Sequence, residues 1–422
     1  MAPLTRLAAV VTAAELPILL VIAPALLFPS PARLTVLVVV PVVWLCARAA
    51  TGELIPCTPL NTSLWLLAGC VGMSLVATFD MQYSLGKVAG VILGMLLFWA
   101  VTRRLTSRNW LRLGVAGFSL AGAVLALLGL LGANVPVLPE TIRGIPGARQ
   151  GFNPNAVSGC LVLFIPLQAV LLSREVRTWL HPASIASTGA RWLMAAHGAV
   201  LALTTATLLL MWSRGALVGM SVAALAAVMW YGRPRFRLAA AGVASVGVLI
   251  LPLTLQQAVP SADAAGPGLA HTVAGRVELW SRAVDAIRDA PLTGVGMNAF
   301  RVVMPERYPP FLFPISTDLA HAHNHLLQAA LDVGLPGLVA YASIWLIIGA
   351  LLVRILRLSD ERVYRSIAGG IGAGLIAHFV FGLTDAIPLG AKVGVLFWLT
   401  LALTCSLHRV AVARPTGAGS RA

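Results

Sequence analysis

Charge is scarce in this chain: 11% of its 422 residues are Asp, Glu, Lys or Arg against 59% hydrophobic, and the mean hydropathy is +0.88. One soluble core cannot bury that much apolar surface, which excludes a water-soluble globular enzyme. Acid is scarcest, 15 residues against 30 basic ones, and no Asp-x-Asp occurs, so a metal-bridged diphosphate lacks its usual ligands. A P-loop and a Gly-x-Ser-x-Gly elbow are also absent. The five cysteines, Cys46, Cys57, Cys70, Cys160 and Cys405, contain no CxxC pair and read as small packing residues in or beside apolar segments. The net charge of +15 comes from short basic clusters between apolar runs rather than from a continuous face, so nucleic acid is not an expected partner.

What is present is a succession of nearly uncharged runs of about 17 to 22 residues, the length a helix needs to cross a hydrocarbon core of about 30 Å. Breaking them at charges, prolines and polar clusters predicts an all-α, polytopic membrane protein of about twelve transmembrane helices. The first would cover Leu7–Phe28, the ninth Leu238–Leu255, the tenth Leu335–Val353 and the last Ala391–Leu407. The implied organisation is residues 1–255 for spans one to nine, 256–333 for a large outside loop, 334–408 for spans ten to twelve, and 409–422 for a cytoplasmic tail. The apolar run after Arg6 is expected to be kept as the first helix rather than cleaved as a signal peptide. With the N-terminus inside, about 19 Lys/Arg fall on the cytoplasmic side and about 11 outside, which satisfies the positive-inside rule. The inside clusters are dense, as at Arg103, Arg104, Arg108 and Arg112 or at Arg233, Arg235 and Arg237.

A loop as long as 256–333 is usually functional. Within it Arg276–Ala290 places Val277, Trp280, Val284 and Ile287 on one helical stripe, which suits a helix lying on the outer membrane surface. Pro291, Gly294 and Gly296 end that helix, and a proline-rich stretch, Pro305–Pro314, leads to a histidine cluster at the next span.

The cluster, His321, His323, Asn324 and His325, is the densest polar group in the chain. Read as one helix it puts His321 and His325 on a shared face, in a structural role, with His323 elsewhere. The i, i+4 pair also has zinc-ligand spacing but lacks further His or Cys nearby, so no metal is expected. His323, a neutral imidazole at a dry membrane boundary, suits proton abstraction from a hydroxyl. Arg214, in the short Ser213-Arg214-Gly215 turn, reads either as a snorkelling anchor or as an anion clamp. Arg276 opens the loop helix behind Gly275, while Arg143 and Arg149 flank Gly144, Gly147 and Gly151 ahead of Asn153-Pro154-Asn155. Arginines gathered on one side imply a phosphate or diphosphate ligand held without magnesium. Glu15, Lys87, His197, His378, Asp385 and Lys392 are intramembrane suspects by default, with a local Asp385–Lys392 ion pair the plain explanation for the last two.

His323-Asn324, nine residues, then Gly334-Leu335-Pro336-Gly337 resembles the His-Asn-x9-Gly-x-x-Gly signature of the O-antigen ligase family, the Wzy-type membrane glycan ligases and polymerases. Gly275-Arg276 with Trp280, Pro291, Gly294 and Gly296 resembles that family's large periplasmic loop. Gly151-Phe152-Asn153-Pro154-Asn155 and Ser213-Arg214-Gly215 resemble its smaller motifs. The resemblance implies an inverting, metal- and cofactor-independent glycosyltransferase of GT-C-like helical fold, acting at the periplasmic side of a bacterial inner membrane. Its donor would be an undecaprenyl-diphosphate-linked glycan and its acceptor a sugar hydroxyl of lipid A-core. By the same resemblance His323 is the general base, Arg276 and Arg214 stabilise the leaving diphosphate, and Asn324 orients the site. Arg143, Arg149 and Asn155 are weaker substrate-binding candidates. A polymerase or a protein-directed oligosaccharyl transferase of the same superfamily would use the same donor. A transporter is the alternative of a different class, disfavoured by the absence of an inverted repeat and of a mid-span charged pair.

Overall fold

The computed structural model describes residues 3–132, 153–180, 188–243, 273–313 and 318–412, and every regular element among them is helical. Hydrocarbon offers backbone N–H and C=O groups no partner, so apolar segments must satisfy them internally, as helices do. In chain order these are α1 (Pro3–Ala13) and α2 (Glu15–Leu27), bent by 55°, then α3 (Val39–Thr51) after a 3-10 turn. Next come α4 (Asn61–Ala77), α5 (Met81–Arg104), α6 (Arg108–Gly132), α7 (Pro154–Leu161), α8 (Ile165–Trp179), α9 (Thr188–Met211) and α10 (Arg214–Tyr231). After them stand α11 (Val273–Asp289), α12 (Phe300–Arg307), α13 (His325–Leu358), α14 (Arg362–Thr384) and α15 (Val395–Val412).

Among the described residues nine helical stretches are long and apolar enough to cross a membrane, or ten if the bent α1–α2 pair is one span, against about twelve expected. The difference arises at α4, apolar but only 17 residues long, and at Leu238–Leu255, whose residues 244–255 lie outside the described ones.

Small residues set the closest helix pairs. On α10, Gly215 and Gly219 are one turn apart; a Cβ at 215 would stand 2.7 Å from Thr384 Oγ1, and one at 219 would overlap the Ala377 carbonyl of α14. That contact brings the first residue of α10, Arg214, to the end of α14.

At the opposite end of the bundle the arginines are tied to protein. Arg103 Nε donates to Glu15 Oε2 at 2.8 Å and NH2 to Leu54 O at 2.6 Å, Arg108 pairs with Glu361 and Tyr364, and Arg409 reaches the carbonyls of Thr102 and Leu105. Glu15–Arg103 is a buried charged pair between α2 and α5, with side chains 5% and 12% exposed. Its members are 88 positions apart, so no sequence pattern pairs them.

The described part of the large loop has its own core. Leu279, Ala283 and Ala286 of α11 pack with Phe300, Val303 and Met304 around α12, and with Phe313, Leu319 and Ala322. The face of α11 that meets this core is Leu279, Ala283 and Ala286, while Val277 of the expected membrane-facing stripe is exposed. Glu278 accepts the backbone N–H groups of Phe311 and Leu312, and Tyr308 Oη donates to Asp289 at 2.6 Å, fastening residues 308–312 to α11.

That core docks on a break in α13. Gly334 has φ 72° and ψ 178°, a backbone that favours glycine, and the break frees two groups. Leu331 O accepts from Val295 N and Leu335 N donates to Pro291 O, both at 2.8 Å. Gly294 is also left-handed (φ 65°), and a Cβ there would overlap Leu331 O. The glycines and proline on both sides of the loop thus make one joint.

Candidate active site

Asn324 starts the site. Its extended backbone and side-chain oxygen cap α13, accepting from Leu326 N at 2.9 Å and Leu327 N at 3.1 Å, while Nδ2 donates to Leu383 O at 3.2 Å. The cap ends the helix there, so His321 and His323 lie outside it and the single-helix reading of the cluster is corrected. Asn324 acts on the site by tying the histidine segment to the end of α14, with both amide atoms engaged.

His325, the first residue of α13, turns into the bundle. Its Nδ1 bonds Tyr341 Oη at 2.9 Å and its ring meets Phe379 and Trp345 edge-on, which is a packing role. His323 turns the other way, from a backbone at φ 48° that a non-glycine residue rarely adopts. Its Nδ1 lies 3.0 Å from Asp385 Oδ1, at the end of α14. A carboxylate accepts the Nδ1–H, so that tautomer carries its basic lone pair on Nε2. His321 stands beside it with ring centroids 4.3 Å apart, accepting the His323 backbone N–H on Nδ1 at 3.3 Å and placing Nε2 at 3.9 Å from Asp385 Oδ1.

Asp385 is the residue that sequence reasoning assigned wrongly. It makes no ion pair with Lys392 among the described residues; its Oδ1 accepts from His323 and from Ala386 N (2.8 Å), while the Lys392 ammonium sits 3.8 Å over the Phe28 ring. Burial raises the Asp385 carboxyl, but the His323 hydrogen bond and the charges of both histidines outweigh it and hold the group below its ordinary value. His321 is pushed down to about 4, first by burial and then by the His323 charge. The only signal for Asp385 was an acid at the end of an apolar span, whose partner lies 62 positions away.

The arginines complete the arrangement. Arg276, one turn into α11, and Arg214, at the start of α10, act electrostatically on each other, and Asp385 acts on Arg276. Burial is the main reason the Arg276 guanidinium is held below its ordinary pKa; the Arg214 charge adds to this and Asp385 opposes it. The Nε of Arg276 and, one turn on, the Nε1 of Trp280 are buried N–H groups with no hydrogen-bond partner among the described residues. Two neighbouring guanidiniums repel unless an anion joins them. Arg214 follows Trp212, another left-handed non-glycine residue (φ 51°), in a turn of two residues between α9 and α10.

Of the remaining candidates, Asn155 lies in the first turn of α7, its N–H bonded to Asn153 Oδ1 at 2.8 Å, and Arg143 and Arg149 lie outside the described residues. Among the described residues the grouping able to share a metal ion is not His321 with His325 but His321, His323 and Asp385, whose ligand atoms lie within 4.8 Å of one another. Between α10, α13 and α14 an apolar cleft of about 460 Å³ is lined by small residues such as Ala223, Gly349 and Gly369 and by Trp230, Trp345 and Phe379, the last less than two turns before Asp385.

Chemically, the site offers a carboxylate-oriented imidazole next to a pair of guanidiniums that no acid among the described residues neutralises at contact distance. Residues 199–342 match the family model for O-antigen ligase, which supports an O-antigen ligase family assignment. The matched stretch holds Arg214, Arg276, His323 and Gly334, and it ends before Asp385. No curated protein matches the chain.

Proposed function

We propose that the protein is an O-antigen ligase of the bacterial inner membrane, transferring a glycan from undecaprenyl diphosphate to a sugar hydroxyl of lipid A-core on the periplasmic side. The observation that carries the reading is the His323–Asp385 hydrogen bond at 3.0 Å beside the Arg276–Arg214 pair. His323 Nε2 takes the proton of the acceptor hydroxyl as its oxygen bonds to the anomeric carbon. The bond from that carbon to the diphosphate oxygen breaks on the opposite face, which inverts the centre. Charge growing on the departing diphosphate is met by the two guanidiniums, a stabilisation that needs no reorganisation at the moment of reaction and no metal. Asn155, Arg143 and Arg149 are the further substrate-binding candidates. The apolar cleft beside α14 is suited to the prenyl chain of the donor. Dense Lys/Arg at the end opposite the site supports the periplasmic orientation.

The test is transfer by the purified chain in nanodiscs with lipid-linked donor, lipid A-core and EDTA. Glycosylated lipid A-core from wild type but not from His323→Ala is the expected result. Longer lipid-linked glycan with no modified core would make the protein a polymerase instead. Absence of transfer to either acceptor would return the transporter.

A further inference from the structure

Lys87 is a charge that the proposed transfer leaves unused. It lies on α5 four residues after Tyr83 and three after Ser84, so the three share a helix face at the site end. That face is locked to the loop core: Ser84 Oγ donates to Met297 O at 2.7 Å, and Asn298 Nδ2 donates to Tyr83 O at 3.1 Å. The same segment carries Arg301, whose guanidinium stands 5.6 Å from the Tyr83 ring centroid. Behind Lys87, its carbonyl abuts Gly390 so closely that a Cβ there would overlap it.

Among the described residues Lys87 makes no hydrogen bond and no ion pair; the charges acting on it are Asp332, Arg301 and Lys392. Asp332 does not answer it, since its Oδ1 accepts from Asn298 N at 3.0 Å and Gln328 Nε2 at 2.8 Å, and its buried Oδ2 has no partner. Among the described residues Arg301 pairs with the exposed Asp318, at 3.4 Å, and its buried Nε has no hydrogen-bond partner. Among the described residues no acid bonds Lys87, and Arg301 beyond its Asp318 pair keeps a buried Nε without a partner, so the two cations, one on α5 and one on α12, are placed to take a further anion.

Their position says which anion. The charges acting on His321 are His323, Asp385, Lys87 and Arg301, whereas those acting on Arg276 are Asp385 and Arg214. Lys87 and Arg301, which stands against Tyr83 one turn before Lys87 on α5, thus act on the cluster at His321, whereas Arg276 is linked to it through Asp385. In an inverting displacement the incoming hydroxyl and the departing diphosphate occupy opposite faces of the anomeric carbon. If Arg214 and Arg276 hold the leaving group, the pair on the His321 side faces the acceptor. We infer that Lys87 and Arg301 form a second anion site, which binds a phosphate or carboxylate on the sugar acceptor; this rests on the glycan-transfer reading above.

The experiment is steady-state transfer by the full chain in nanodiscs, wild type against Lys87→Met, Lys87→Arg and Arg301→Gln, with the lipid A-core acceptor intact, dephosphorylated or carboxyl-reduced. Lys87→Met should raise the KM for intact acceptor about tenfold, the worth of one charge-assisted hydrogen bond, with kcat and donor KM unchanged. The wild-type advantage should vanish on whichever treated acceptor has lost the recognised group, and Lys87→Arg should restore it. A raised donor KM would assign Lys87 to the diphosphate and overturn the site, as would an unchanged acceptor KM. Binding of free core oligosaccharide, read by tryptophan fluorescence, separates the two readings. If wild type transfers nothing, the ligase reading falls, while weaker binding to Lys87→Met than to wild type sustains this site and equal binding removes it.

Discussion

The two ends of the helical bundle use arginine differently. At one end Arg103 answers the buried Glu15, Arg108 pairs with Glu361 and Tyr364, and Arg409 holds the carbonyls that close α5. At the other, Arg276 makes no hydrogen bond among the described residues and has Arg214 as its charged neighbour. Burying a cation without an acid costs free energy unless something else supplies the negative charge. The contrast teaches that the first set holds the bundle together, whereas the second is placed where the proposed diphosphate would be met. Backbone strain follows the same division: Trp212, Asn298 and His323, the described non-glycine residues at positive φ, all lie at the ligand end.

The contrast breaks most sharply at His323. His323→Ala should lower transfer by about 10² to 10⁴-fold while leaving membrane insertion intact, and near-native turnover would remove it as the base. Arg276→Ala should lower kcat by about 10² to 10³-fold, the worth of one preorganised electrostatic donor, with the melting temperature in detergent unchanged or raised as one buried cation disappears. Asp385→Asn keeps the shape but loses the charge that fixes the imidazole, and a drop of about 10²-fold in kcat with little change in either KM is expected. At the far end the readout reverses: Glu15→Gln strands Arg103 and should cost on the order of 3 kcal/mol of stability, seen as a lower unfolding temperature, while transfer per folded molecule stays at the wild-type rate. Smallest is His325→Phe, which leaves the Tyr341 hydroxyl short of one partner at about 1 to 3 kcal/mol and should barely move kcat. A large catalytic loss there would mean that the two histidines, two positions apart, are not as separate as their environments.

Much of this organisation was legible without coordinates. Runs such as Met81–Arg104 announce spans because hydrocarbon penalises charge, and His323, Arg214 and Arg276 stood out because such residues are costly at a membrane boundary. Other features were not legible because they depend on partners far along the chain. The helical period marked a Val277–Trp280 stripe suited to the membrane surface, but not that Leu279, Ala283 and Ala286 would pack against Phe300, which lies outside that helix. His321 seemed to pair with His325 by spacing, until the Asn324 cap excluded it from the helix and turned it toward Asp385. Glycines 294 and 334 were visible as breaks, yet not as two halves of one joint.

By itself the sequence determined that this protein is a bundle of membrane helices with its polar chemistry gathered at one end, since hydropathy is a local property and water and lipid read it segment by segment. Tertiary structure alone decided which groups meet. Asp385 orients His323 from 62 positions away, Glu15 neutralises Arg103 across 88, and Arg276 has no acid at contact distance among the described residues. Charges and hydrogen bonds act over a few ångströms of space, and only the packing of distant helices sets those distances.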